Sequence, residues 1–480
     1  MRLPKLTLIA AGLLASGMAF AASTTIPAAA VTTAEQLRDK ALHDDTAYRI
    51  TESLTTEVGP RLAGSEADKR GRDWAVAKFK ELGFDNVHTE PVTYPLWVRR
   101  SEHAAIVSPF PQPLTLTALG YSIGTPAGGL TAEVVRFETL DALKAADPAS
   151  IKGRIVFVDH RMERAKDGHG YGMGSAIRTY GPVLAREKGA AAYLLRSAGT
   201  DADQRSPHTG VTGVTGFTDA KAAIPAAALS NPDADQLARA IAYGKPVSVK
   251  LDLDCGFEGE YTGANVIGDI TGSKYPDQIV PIGGHLDSWD LGTGAIDDGA
   301  GVAIAMAAGK LIGDLPKRPD RTIRVIAFAN EEMGLWGGIA YADKHAGEVS
   351  KHQLGTESDF GAGRIWRMSA SVKPEARGAI EQIAKVLEPV GVAYDAKRPG
   401  GGGSDLSQMH AKGMAALSLT QDGTHYFDWH HTPNDTLDKV DPAELAQNVA
   451  VYAAFSYMAA QADGDFGSAP GAFANDGAHE

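Results

Sequence analysis

Residues 321–329 carry an almost unbroken apolar run, Ile323, Val325, Ile326, Ala327 and Phe328, and two adjacent carboxylates, Glu331 and Glu332, follow it directly. A strand that is apolar on both faces belongs in the middle of a sheet covered by helices on either side. The surrounding pattern agrees. Strands are predicted over residues 264–270, 278–283 and 414–420, and helices over 299–315, 335–345, 374–389 and 442–460. Their alternation implies an α/β fold, a mostly parallel mixed sheet with helices on both faces. In such sheets ligands bind beyond the carboxyl ends of the strands, which is where Glu331 and Glu332 stand.

Upstream, residues 34–56 read as one helix and residues 65–82 as another, with Ser65 as its N-cap. Residues 87–94 read as a strand. Residues 111–254 differ in texture. Short apolar runs at 132–135, 154–158 and 191–195 alternate with helical pieces at 181–188 and 235–242. This predicts a smaller α/β insertion that divides the main domain into residues 34–110 and 255–462. Within it, residues 200–218 are rich in Ser, Thr, Gly and Asp and are expected to form a long surface loop. Residues 463–480, rich in Gly, Ala and Asp, are expected to be a flexible tail.

The first 22 residues read as a cleaved secretory signal. Arg2 and Lys5 precede an apolar stretch over 6–20, and Ala19-Phe20-Ala21 is a small-x-small site that places cleavage near Ala21 or Ala22. The stretch is short for a spanning helix, so a secreted or periplasmic protein without stable membrane insertion is expected. Lys plus Arg number 46 against 59 Asp plus Glu, a net charge of −13, with no basic patch. That balance argues against a nucleic-acid partner. The single cysteine, Cys255, has no internal disulfide partner and is expected to be buried.

Three segments beyond predicted strand ends concentrate polar side chains. His285 and Asp287, at i and i+2 of extended chain, project to the same side. There an imidazole can hold a metal through one nitrogen while the acid fixes the tautomer of the other. Glu331 and Glu332 repel one another after a buried strand unless a cation neutralises them. Their side chains diverge, so one can ligate a metal while the other faces a bound water. Asp297-Asp298 is a third acidic cluster and His431 a second imidazole. Histidine and carboxylate donors without thiolate suit a hydrolytic zinc site, with manganese or cobalt as alternatives. Two imidazoles with three or four acids exceed the needs of one tetrahedral ion and match two ions sharing a bridging carboxylate. Each signal alone is equally a solvated turn or a surface histidine; together they favour a metal hydrolase. The run Gly400-Gly401-Gly402-Gly403-Ser404-Asp405 lacks the Lys of a phosphate loop and reads as a flexible loop lining the cleft.

The ordered motifs His285-Leu286-Asp287-Ser288-Trp289-Asp290, Ala295-Ile296-Asp297-Asp298-Gly299, Asn330-Glu331-Glu332 and His431-Thr432-Pro433-Asn434-Asp435-Thr436 resemble the co-catalytic zinc peptidases of family M28. The Asp287-to-Asp290 wording, and Val58-Gly59-Pro60-Arg61-Leu62-Ala63-Gly64-Ser65, resemble its plasma glutamate carboxypeptidase branch. Residues 151–158 and 190–195 resemble a protease-associated domain. The resemblance implies two zinc ions, one held by His285 and Asp359 and the other by Glu332 and His431, with Asp297 bridging them. It implies Glu331 as general base and Asp287 as a carboxylate behind His285. Glu357 competes with Asp359, and His430 with His431. The family spacing His-x-x-x-Asp-Thr selects His431, which leaves His430, with Tyr426, as hydrogen-bond donors beside the substrate. A cis Asp297–Asp298 bond is also implied. The implied activity is exopeptidase hydrolysis of dipeptides or short peptides through a metal-activated water, carboxypeptidase-type by branch. An aminopeptidase of the same family is the alternative, and a receptor-like protein or a glutaminyl cyclase-type acyl transferase stands behind both. The insertion has three open roles: covering the cleft, limiting substrate length, or forming a homodimer.

Overall fold

The computed structural model describes residues 23–213 and 223–474; the signal expected over residues 1–22 lies outside the described residues. Among the described residues, eleven strands form one continuous sheet. They are β1 (Asp85–Ser108), β2 (Gln112–Leu114), β3 (Leu116–Ala118), β4 (Leu130–Phe137), β5 (Ile155–Val158), β6 (Ala192–Arg196), β7 (Ala226–Leu229), β8 (Ser248–Ile270), β9 (Tyr275–His285), β10 (Arg321–Phe328) and β11 (Thr356–Glu357). Three more, β12 (Ile365–Ser371), β13 (Ala393–Tyr394) and β14 (Ala416–Gln421), form a second small sheet in the order β13-β12-β14.

The apolar run over residues 321–329 is β10. It lies between β8, to which it is antiparallel, and β9, to which it is parallel, and β11 extends the sheet parallel to β9. Its side chains alternate between two cores. Ile323, Val325 and Ala327 join the core built with the helices Ala28–Ala41, Thr46–Ser53, Ala300–Gly313 and Pro442–Gln461. Ile326 and Phe328 join a core on the other side with Tyr341, Leu406, Met409 and Met414. Burial on both faces explains the lack of period-two alternation in this strand. The helix Ala300–Gly313 is buried almost all round, which is why it is dominated by small residues.

The structure differs from these expectations in several places. Residues 34–56 are two helices, broken at residues 42–45, where Asp44 Oδ1 accepts from the Thr46 amide at 2.8 Å; a side chain offering the backbone a local partner competes with helix continuation. The strand expected over 87–94 is the first third of β1, which pairs antiparallel with β8 along nearly its whole length. This long ribbon runs from the main sheet into β4–β7, and a second apolar core collects Trp97 and Ile106 of β1, Leu251 and Leu253 of β8, and Phe157, Leu194 and Leu229. The expected surface loop over 200–218 is, as far as residue 213, only partly at the surface: residues 202–205 are exposed, but Asp201, Ser206, His208 and Thr209 are buried. The expected flexible tail is, over residues 463–474, docked on the body. Phe466 is fully buried, Asp463 bridges Thr25, and Ser468 accepts from the Ala415 amide at 2.8 Å. Among the described residues no helix is long and apolar enough to cross a membrane, and Cys255 is buried and free.

Candidate metal centre

The parallel strands β9, β10 and β11 end side by side, and their carboxyl ends deliver His285, then Glu331 and Glu332, then Asp359. The loop after β9 returns with Asp297, and the turn after the short helix Tyr426–Trp429 supplies His431. The centre of the cluster is Asp297. Its Oδ1 lies 3.1 Å from His285 Nε2, and its Oδ2 lies 3.2 Å from His431 Nε2. Asp359 Oδ1 is 3.4 Å from His285 Nε2, and Glu332 Oε2 is 2.9 Å from His431 Nε2. The donor atoms of His285, Asp297 and Glu332 lie within 4.8 Å of one another, as do those of His285, Glu331 and Asp359.

The tautomers test whether cations fit here. His285 Nδ1 is 3.1 Å from the carbonyl oxygen of Asp287, and His431 Nδ1 is 3.2 Å from that of Thr209. A carbonyl only accepts, so each Nδ1 carries the proton and each Nε2 presents a lone pair. Those lone pairs face carboxylate oxygens at 2.9–3.4 Å, a repulsive contact unless a proton or a metal ion lies between. Buried Glu332 Oε1 and Asp297 Oδ2 have no hydrogen-bond partner, which also fits metal coordination. Electrostatics run the same way. Burial disfavours the imidazolium of His285, yet the charge of Asp359 and bonds to Asp287 and Asp297 hold its pKa well above the ordinary value. Burial, then the charge of Asp297, pushes Glu332 up to about 7. Burial, then the charge of Asp359, pushes Glu331 well above the ordinary range. The cluster demands positive charge.

The members of each competing pair have different surroundings, although His430 and His431 both bring a nitrogen within 4.8 Å of an Asp297 oxygen. Glu357 turns away from the imidazoles, and its Oε2 accepts from the amides of Asp405 and Leu406. Asp359 faces His285 and accepts from Ser404 Oγ. His431 is the histidine that meets Glu332. His430 stacks on it with ring centroids 3.5 Å apart, its Nε2 lies 3.5 Å from Asp297 Oδ2, and its buried Nδ1 has no partner. Burial, then the charge of His431, keeps His430 well below its ordinary pKa, hence neutral. Tyr426 packs 4.9 Å from the His430 ring. Asp287 Oδ1 accepts from the Glu331 amide at 3.0 Å and lies 3.7 Å from His285 Nδ1. The Asp297–Asp298 bond is cis, as the resemblance implies.

Some supporting roles were not foreseen. Asp298 turns back into the scaffold, accepting from the His285 and Gly301 amides. Asp435 Oδ1 accepts from the amides of Ala295 and Ile296 at 2.7 Å each. Arg61, 0% exposed, donates to the carbonyls of Leu286, Thr293 and Gly294 and so braces the loop between His285 and Asp297. Its signal was present in the Gly59-Pro60-Arg61 motif, but its target was not. Thr209 left no signal, since it acts through its backbone. The glycine run, expected to be flexible, is held in place. The amides of Gly400 and Gly401 bond Ser371 and Ser418, and a Cβ on Gly403 (φ +90°) would come within 2.6 Å of Glu357 Cβ.

Residues 265–456 match the sequence profile of peptidase family M28. The chain is 34% identical over 413 residues to carboxypeptidase Q of Bos taurus, covering 86% of this chain and 85% of that one. The crystal structure of a peptidase M28 precursor from Shewanella amazonensis SB2B superposes with a TM-score of 0.86 at 51% identity, covering 92% of this chain and 98% of that one. A zinc aminopeptidase from Bacillus subtilis shares the fold, with a TM-score of 0.61 at 21% identity over 86% of this chain and 94% of that one. Similarity of this degree along most of the molecule, joined to donors that call for cations, makes the chain a metallopeptidase belonging to peptidase family M28.

Proposed function

We propose that the protein is a secreted or periplasmic exopeptidase that holds two zinc ions and removes the C-terminal residue of dipeptides or short peptides. The observation that carries the two-ion reading is the division of Asp297, one oxygen toward each buried imidazole. His285 and Asp359 would hold one ion and Glu332 and His431 the other, with Asp297 shared. Bound there, zinc supplies Lewis acidity toward water and toward the scissile carbonyl.

The chain's own residues do the rest. Glu331 stands beside His285 and Asp359 without being needed as a ligand, so its carboxylate is free to take the proton of the attacking water and return it to the leaving amine. Asp287 aligns this base by accepting from its amide, and it also lies against His285. Neutral His430, with an unpartnered Nδ1, and Tyr426 are assigned to hydrogen bonding with the substrate. The likeness to carboxypeptidase Q supports attack from the C-terminal side. The test is a panel of N-acetylated and free dipeptides given to the purified protein with and without a chelator. Cleavage of acetylated dipeptides, abolished by the chelator, is expected; a strict requirement for a free amine would make the enzyme an aminopeptidase instead.

A further inference from the structure

Four arginines reach the loops around the candidate metal cluster: two pair directly with carboxylates, and a third, Arg61, bonds carbonyls but has carboxylates around it. Arg164 forms a two-pronged pair with Asp428, at 2.7 and 2.5 Å. Arg99 grips both oxygens of Asp290. Arg61 has Asp435, Asp287, Asp298 and Asp297 around it. Arg178 is the exception. It lies on the helix Tyr171–Glu187 and is only 7% exposed, yet its guanidinium meets neutral acceptors alone. Nη1 donates to the Tyr171 hydroxyl at 2.8 Å and the Thr209 carbonyl at 3.3 Å, and Nε to the Val211 carbonyl at 3.3 Å. Among the described residues no carboxylate pairs with Arg178, and its Nη2 finds no acceptor.

A buried charge without a counter-charge is unfavourable, and the balance is restored when an anion arrives. The location says which anion. The Thr209 carbonyl that Arg178 bonds also accepts from His431 Nδ1, and Tyr171, which Arg178 bonds, lies edge-on to His430 with ring centroids 5.0 Å apart. Arg178 is thus one partner removed from each histidine, on the side of the cluster covered by the insertion. Its planar fork matches a carboxylate.

We propose that Arg178 receives the free α-carboxylate of the substrate's C-terminal residue, so the substrate class is short peptides with an unblocked C-terminus. This rests on the carboxypeptidase reading above. It is tested by comparing an N-acetyl dipeptide with its C-terminal amide on the metal-loaded full-length enzyme, as wild type, Arg178→Gln and Arg178→Lys. The wild type should prefer the acid. Arg178→Gln should reduce the acid-to-amide ratio of kcat/KM by about 30-fold or more, chiefly through KM on the acid, and Arg178→Lys should retain part of the ratio. A ratio unchanged in Arg178→Gln, with acid and amide slowed equally, would show that Arg178 only braces the Thr209 loop and would overturn the proposal while leaving the carboxypeptidase reading standing. A wild type without acid preference would instead remove that reading, and the anchor with it. Should Arg178→Gln fail to fold, Arg178→Lys decides alone: a KM rise confined to the acid supports the anchor, and equal changes on both substrates refute it.

Discussion

Replacing Arg61 by methionine would leave a side chain of similar length but no donor beneath the loop that joins His285 to Asp297. Three carbonyls, those of Leu286, Thr293 and Gly294, would lose their guanidinium partner in a position with no solvent exposure. An unsatisfied buried acceptor costs about 1–3 kcal/mol. Methionine fills most of the space, so water cannot readily replace the lost donors. The Gly294 carbonyl keeps the Gly299 amide at 3.0 Å, so taking the lower part of that range for the other two gives a loss of about 2–3 kcal/mol. Arg61 is also the fixed cation facing Asp435, Asp287, Asp298 and Asp297. The loss should therefore be largest in metal-free protein and shrink when divalent cations share the neutralisation. Arg61→Lys keeps the charge but cannot reach three carbonyls with one ammonium, and should fall between. The assay is urea unfolding followed by tryptophan fluorescence, in chelator and in excess zinc. An Arg61→Met midpoint equal to wild type in chelator would refute the reasoning, because the loop would then hold itself.

Glu331→Gln should keep its metal content yet lose about 10²–10⁴ in kcat, read by dipeptide hydrolysis alongside elemental analysis; an active variant would remove Glu331 from the base role. His431→Ala should lose one of two bound metal equivalents, whereas His430→Ala should retain both, since Glu332 meets only the former. Metal affinity should fall as pH drops below 7. Burial, then the charge of Asp297, lifts metal-free Glu332 to about 7, so a cation binding there below that pH must expel a proton; competition titrations at pH 6 and pH 8 would reveal the difference. The Cys255 thiol, pushed up to about 12 by burial, should ignore a disulfide reagent at pH 8 in the native protein and react fully in denaturant.

The chain's linear pattern was enough to point to the α/β class, the central strand β10 and most of the acids and imidazoles that meet in the candidate metal cluster, while Asp359 came from the family resemblance alone. Those features are local: burial on both faces of one strand, and unusual crowding of acids and imidazoles just beyond strand ends. Even the order of the motifs carries information, because parallel strands deliver their carboxyl ends to one side of a sheet. What tertiary structure decided is how the backbone and distant segments support the cluster. Glu357 and Asp359 differ by two positions, and only the fold turns one toward the amides of residues 405 and 406 and the other toward His285. The loop over 200–213 looks polar and solvated on paper, yet its Thr209 carbonyl sets the tautomer of His431 from 222 residues away. Arg61 is linked to the Gly294 carbonyl across 233 residues. A hydrogen bond between a side chain and a remote carbonyl leaves no trace in residue type, since every residue has a carbonyl. Charge and hydrophobic pattern therefore named the chemistry, and only the packed chain could show which backbone groups hold it in place.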